Sequence, residues 1–166
     1  MSRDAAGAPP APDGATVRLC TFAVDHLCIG VEVGRVQEVV RRQATTPVPL
    51  APEAIEGVLN LRGQIVTAID VRHRLGLPCP PDGSAPMNAV IRLDDEVVSL
   101  LVDEAGEVVE PSPESYEPVP STASPQIRAM CTGTFKLEGS LLLVLDTDSV
   151  GRIAADPDGL AARRAS

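Results

Sequence analysis

The sequence holds 166 residues with a net charge of −9, and its only aromatic residues are Phe22, Tyr116 and Phe135. It has no run of 18 apolar residues and no basic segment leading into an apolar one, so neither a membrane span nor a secretory signal is expected. Ten acidic residues against the single Arg92 between Asp82 and Glu117 carry the whole net charge, which argues against non-specific nucleic-acid binding, because phosphate neutralisation needs clustered cations.

A chain of this length forms one domain or two small subdomains and buries about two-thirds of its unfolded surface. With so few aromatic residues, valine, leucine, isoleucine and alanine must fill the core, and β-branched residues favour strands. Residues 1–16, rich in alanine and proline, cannot build a core and are expected to form a disordered leader. Val17–Val24 and Leu27–Val33 read as strands joined by a turn at Asp25-His26, with Gly30 marking a bulge or a close backbone approach. Val33–Arg42 reads as a strand with a turn at Gly34. Glu38 stands among its valines, either as a solvated residue paired with Arg41 or Arg42 or as part of a site. Thr46–Pro52 is a proline-punctuated loop, and Glu53–Glu56 is expected to make one helical turn.

The stretch Gly57–Gly76 reads as strand, tight turn at Arg62-Gly63, second strand and short capped helix. Gly63 suits a turn position with positive φ. Ile65, Val66, Ala68, Ile69 and Val71 predict a strand buried on both faces. Asp70 serves as N-cap, Gly76 as terminator, and Pro78 blocks continuation. Arg62, an always-charged planar fork at the tip of an apolar hairpin, is either a solvated turn residue or an interaction residue. Leu77–Pro86 is a proline- and glycine-rich connector. Beyond it, Met87–Leu93, Val97–Val102 and Gly106–Glu110 read as strands. Pro111–Pro125, with five prolines, reads as a long surface loop. Arg128–Leu137 and Leu141–Leu145 follow as strands, then a helix capped by Asp146 or Thr147 and running to about Ile153, and residues 154–166 as a tail or helix extension.

A shift of 76 positions places Gly57, Leu61, Gly63 and Asp70 on Gly133, Leu137, Gly139 and Asp146. The order strand, turn, strand also repeats between Phe22–Val33 and Val90–Val102. This self-similarity predicts a duplicated β unit, and two packed small β-barrels as the architecture. The scaffold positions repeat, but the charged tip does not: Arg62 in one copy is Glu138 in the other.

Catalytic patterns are lacking. No Gly-rich phosphate loop, H-E-x-x-H or G-x-S-x-G occurs. Cys20, Cys28, Cys79 and Cys131 form no C-x-x-C pair, and two scattered histidines supply no zinc site. Free thiols in a reducing compartment, no metal and no cofactor are the expectation. The least unfavourable catalytic grouping, Cys20 or Cys28 with His26 or His73 and Asp70, uses cysteines in apolar strand patterns, whereas a reactive thiolate wants an exposed electropositive niche.

Val36-Gln37-Glu38-Val39, then Gly57-Val58-Leu59-Asn60-Leu61-Arg62-Gly63-Gln64-Ile65-Val66, Asp70-Val71-Arg72 and Leu75-Gly76 resemble the CheW family of chemotaxis coupling proteins. The likeness extends from about Val17 to Ile153 and includes Phe22-x-Val24-Asp25, Ile29-Gly30-Val31 and Val97–Asp103. The resemblance implies a mainly all-β domain over residues 17–153. It implies two packed five-stranded SH3-like barrels (the first about 17–80, the second about 87–153, with strands open to exchange) and short connecting helices. It further implies a non-enzymatic, cofactor-free scaffold linking the cytoplasmic tip of chemoreceptors to the regulatory domain of a CheA-type histidine kinase. Such a protein sits in the cytoplasm at receptor arrays on the inner membrane, without inserting into it. The alternative is an accessory paralogue that competes for or sequesters the kinase in a non-flagellar pathway. Carried onto this sequence, the partner-binding residues are Arg62, with Gly57, Asn60 and Gly63 of the same motif, Val36 and Glu38 at the groove between barrels, and Val102 and Val108 facing it from the second barrel. Two positions depart from the family pattern: Thr67 replaces a usual proline, and Ile29 a usual tyrosine or phenylalanine.

Overall fold

The computed structural model describes residues 17–51, 53–78, 87–94 and 96–155; the expected leader and most of the expected tail lie outside them. The strands are β1 (Leu19–Val24), β2 (Leu27–Glu32), β3 (Val36–Arg41), β4 (Ile55–Leu61) and β5 (Gln64–Asp70), followed by helix α1 (Val71–Leu75). Then come β6 (Met87–Arg92), β7 (Val97–Val102), β8 (Glu104–Val109), the short β9 (Tyr116–Glu117), helix α2 (Pro125–Met130), β10 (Cys131–Leu137), β11 (Ser140–Leu145) and helix α3 (Thr147–Ala155). The protein is mainly β, with its strands in two sheets.

One sheet runs β3-β6-β7-β5-β4 and the other β9-β10-β11-β2-β1-β8. Each holds one parallel junction, β5–β7 in the first and β11–β2 in the second, and is otherwise antiparallel. The five-strand expectation therefore holds for one sheet. The other gains β9, whose Tyr116 pairs with Phe135 in the ladder and sets its ring edge-on, 5.2 Å between centroids. Without β9 the two orders are superimposable under the repeat, with β1, β2, β3, β4 and β5 standing for β6, β7, β8, β10 and β11. Each sheet takes strands from both halves of the chain. The chain crosses between sheets at the 3-10 turn Val33–Arg35 and again at the single residue Asp103, between β7 and β8.

Burial follows this exchange. The largest apolar cluster combines Phe22, Ile29 and Leu143 of one sheet with Ile69, Ile91 and Leu100 of the other, so the two subdomains share a core. Smaller clusters fill each subdomain separately: Leu19, Phe135, Leu142 and Val144 in one, and Leu59, Val66 and Ala68 in the other.

Four sequence expectations are corrected. Ile65 is 64% exposed rather than buried, as is its repeat equivalent Leu141 at 41%. Strand β5 meets β7 only from Thr67 onward and β11 meets β2 only from Leu142 onward, so the first residues of each hairpin project past their neighbour. Residues 125–130 are helical, because Ser124 caps with its hydroxyl accepting from the Ile127 amide and Pro125 occupies the first turn. The strand therefore starts at Cys131. Within the proline-rich loop, Pro113–Ser115 forms a 3-10 turn leading into β9. No helical turn forms at residues 53–56; Ile55 already belongs to β4.

The duplicated glycines share one packing role. Both Gly57 and Gly133 sit at a register shift. A β-carbon on Gly57 would lie 2.4 Å from the Thr46 carbonyl oxygen, and one on Gly133 would lie 2.3 Å from the Tyr116 hydroxyl. In each copy a crossing segment lies directly on the glycine.

Candidate functional site

The β4–β5 hairpin places Arg62 at its tip. Arg62 (φ 54°) and Gly63 (φ 86°) both adopt the left-handed conformation, the pairing that matches a two-residue turn to the twist of its strands. Asn60 locks the turn, its side-chain oxygen accepting from the Gly63 amide at 2.9 Å. Arginine has a β-carbon and tolerates this conformation poorly, so the hairpin holds an unfavourable residue where its side chain projects farthest.

Arg62 donates to the Glu38 carboxylate on β3. The register shift between Val36 and Glu38 in the β3–β6 ladder redirects that side chain off the regular alternation. The pair is unequal, since the Glu38 side chain is 19% exposed and that of Arg62 71%. Glu38 is thus the sheltered anchor, and Arg62 the exposed end. Arg42, one of the two arginines considered for Glu38 from sequence, pairs instead with Glu56. Of the other expected residues, Val36 is half-buried against the shared core. Val102 is completely buried within it and cannot touch a partner, because the alternation of β7 puts its side chain on the core face with Val98 and Leu100. Gly57 is likewise buried, under the Thr46 backbone. Val108 is 47% exposed on β8, an edge of the other sheet. The structure therefore gathers Val36, Glu38, Asn60, Arg62 and Gly63 into one surface and leaves Val108 on a separate edge.

The hydrogen bond from Arg62, reinforced by its charge, holds the Glu38 carboxyl below the usual range despite partial burial. Asp25 is also lowered, first by hydrogen bonds from His26 and then by Arg72. A carboxylate with a depressed folded-state pKa stabilises above its unfolded pKa and loses that contribution as pH falls through the folded value. The urea midpoint is accordingly expected to stay level from pH 7 to about 5 and to drop below about 4. Denaturation at a series of pH values checks this, with Glu38→Gln altering the drop only slightly, because its partner Arg62 is exposed and the pair is screened.

Among the described residues the three thiols, Cys20, Cys28 and Cys131, are poorly placed for nucleophilic chemistry, and Cys79 lies outside those residues. Burial pushes Cys20 and Cys28 upward, and burial together with the Asp146 charge pushes Cys131 up to about 12. His73 turns its Nε2 toward Glu53 at 2.9 Å, and Asp70 caps α1 by accepting from the His73 amide. Among the described residues no group of three or more His, Cys, Asp or Glu is placed to hold a metal ion. Iodoacetamide at pH 8 is expected to leave Cys131 unmodified in the native protein and to label it only in denaturant, as read by peptide mass spectrometry.

Sequence reasoning missed one charged cluster. Arg72 of α1 is 93% buried (7% exposed) and donates to Asp25 at 3.1 Å, Asp103 at 2.7 Å and the Pro78 carbonyl at 2.7 Å. The sequence offered two signals for Arg72, its place in the Asp70-Val71-Arg72 motif and its position three residues before the buried Leu75 on the inner face of the capped turn, but neither named its partners.

Comparison with known proteins agrees with this architecture. The family model described as the CheW-like domain matches residues 18–154. The chain is 30% identical over 132 residues to the chemotaxis protein CheW of Rhizobium meliloti (80% of this chain, 85% of the relative). It is 29% identical to that of Bacillus subtilis, again over 80% and 85%. The crystal structure of the scaffolding protein TtCheW from Thermoanaerobacter tengcongensis superposes with a TM-score of 0.70 at 26% identity, covering 80% of this chain and 90% of that one. With two β subdomains, the repeated hairpin and the Asn60-Leu61-Arg62-Gly63 tip in place, the chain belongs to the CheW-like domain family.

Proposed function

We propose that the protein is a chemotaxis coupling scaffold that joins the cytoplasmic tip of a chemoreceptor to a CheA-type histidine kinase and adjusts kinase activity through contacts alone. The observation that carries this reading is an exposed arginine at the β4–β5 tip, anchored by a sheltered glutamate on β3, the opposite edge strand of the same sheet, with a half-buried valine on that strand. Apolar surface supplies affinity, while a charge at its rim selects partner and register. A receptor helix would be read through small apolar anchors at i, i+3 and i+4. Among the described residues no helix is long and apolar enough to cross a membrane, in keeping with a protein held at receptor arrays by its partners.

Binding tested separately against receptor cytoplasmic fragments and against the kinase, followed by kinase autophosphorylation in the three-component mixture, decides the matter. The scaffold is expected to bind each and to make kinase output depend on the receptor. Binding to the kinase alone, with suppression of receptor control, would identify a competing regulator instead. Binding to neither would refute both.

A further inference from the structure

We infer that Arg72 is a positioning residue that clamps the second crossing between the subdomains and so sets the geometry of the proposed partner surface. Its influence on coupling rests on the scaffold reading; the clamp itself does not. Three segments meet at this guanidinium. Asp103 is the lone residue between β7 of one sheet and β8 of the other. Asp25 lies in the β1–β2 turn of the six-stranded sheet, and Arg72 is the second residue of α1, which follows β5 of the five-stranded sheet directly. The backbone closes the arrangement: the Asp25 amide donates to the Asp103 carboxylate at 2.7 Å, and the Asp103 amide donates to the Ala23 carbonyl at 2.8 Å.

The shared apolar core holds the subdomains together but is non-directional. A planar fork bridging two carboxylates is directional, and a lysine cannot reproduce it. The repeat supplies an internal contrast. Asp148 stands 76 residues after Arg72, so α3 carries a carboxylate where α1 carries its guanidinium, and the one arginine of α3, Arg152, donates to the Ser149 hydroxyl at 2.9 Å. At the first crossing Arg35 makes a surface pair with Asp94 at 3.2 Å, beside an open cleft of about 350 Å³ lined by Arg35, Asp94, Asp148 and Arg152. One crossing is locked by a buried arginine between two partly exposed carboxylates; its twin is held by a pair at the surface.

Replacing a buried ion cluster with uncharged groups is often neutral for stability, whereas removing one member leaves uncompensated charge. The two roles can thus be separated. The triple variant Arg72→Met/Asp25→Asn/Asp103→Asn is expected to melt within about 3 °C of the parent. Its amides at residues 25 and 103 are expected to exchange with deuterium about tenfold faster or more, with the 57–67 hairpin unchanged and receptor control of the kinase reduced. Arg72→Lys is expected to show the same faster exchange. A stable triple variant with parental exchange or parental coupling overturns the inference, as does Arg72→Lys with parental exchange. So does loss of folding in the triple variant, which would make the cluster a stability element. If the parent itself binds neither receptor nor kinase, the scaffold reading fails while the exchange result still decides the clamp.

Discussion

Gly57→Ala is expected to destabilise the domain by about 3 kcal/mol, and Gly63→Ala by about 1 kcal/mol, although both glycines belong to one hairpin. The difference is one of neighbours. At Gly63 an added β-carbon meets nothing within 4 Å, so only the left-handed backbone (φ 86°) resists it. At Gly57 the β-carbon would sit 2.4 Å from the Thr46 carbonyl oxygen and 2.8 Å from its carbon. These are backbone atoms fixed by the two hydrogen bonds between Thr46 and Val58, at 2.7 and 2.9 Å. No rotamer change relieves the clash; the bridge must open, and the loop over residues 46–51 lifts with it. Gly133 provides the control, because its obstruction is the Tyr116 ring. Gly133→Ala is expected to be severe alone and partly relieved by Tyr116→Ala, whereas truncating Thr46 does nothing for Gly57→Ala. Urea midpoints at unchanged slope measure all of these. A Gly57→Ala midpoint equal to that of Gly63→Ala would show that the Thr46 contact is not a constraint.

The same hairpin shows what the sequence made legible. The repeat marked Gly57 and Gly133 but not the distant Thr46 and Tyr116 that require them, whereas features set by residues close along the chain were readable outright: the Arg62-Gly63 turn, the Asp70 cap and the Gly76 stop. Each depends on φ or on a hydrogen bond spanning three or four residues. The Ser124-Pro125 start of α2 was equally local, but it was absorbed into a loop by the proline count. Features set by pairing across the fold were hidden. Ile65 and Val102 are similar apolar residues in strand patterns, yet one is exposed and the other completely buried, because exposure depends on where a neighbouring strand begins. Arg72, Asp25 and Asp103 are ordinary charges until the strand exchange brings their segments together. At the site, the family motif pointed to Glu38 and Arg62, but the register shift in β3 that joins them was invisible.

That pairing supports a prediction in which stability and recognition separate. Arg62→Asp is expected to weaken binding to kinase or receptor by about tenfold or more, as expected for a lost and inverted interface charge. Its unfolding midpoint should barely move, because an exposed ion pair contributes little and the turn is held by Asn60. Glu38→Arg is expected to weaken binding as well, since Arg62 loses its anchor and meets a like charge. The reciprocal variant Glu38→Arg/Arg62→Glu distinguishes two roles for the pair. If the pair merely fastens the hairpin to β3, the reversed pair fastens it equally well and binding returns. If a partner reads the cation at the tip, the reversed pair is intact but presents the wrong sign, and binding stays low. The unequal exposure favours the second outcome: Glu38, at 19% exposed, is sheltered enough to orient, and Arg62, at 71%, is free to be read. Full recovery of binding in the reciprocal variant would move recognition away from the tip, leaving Val36 and the exposed Val108 edge to carry it.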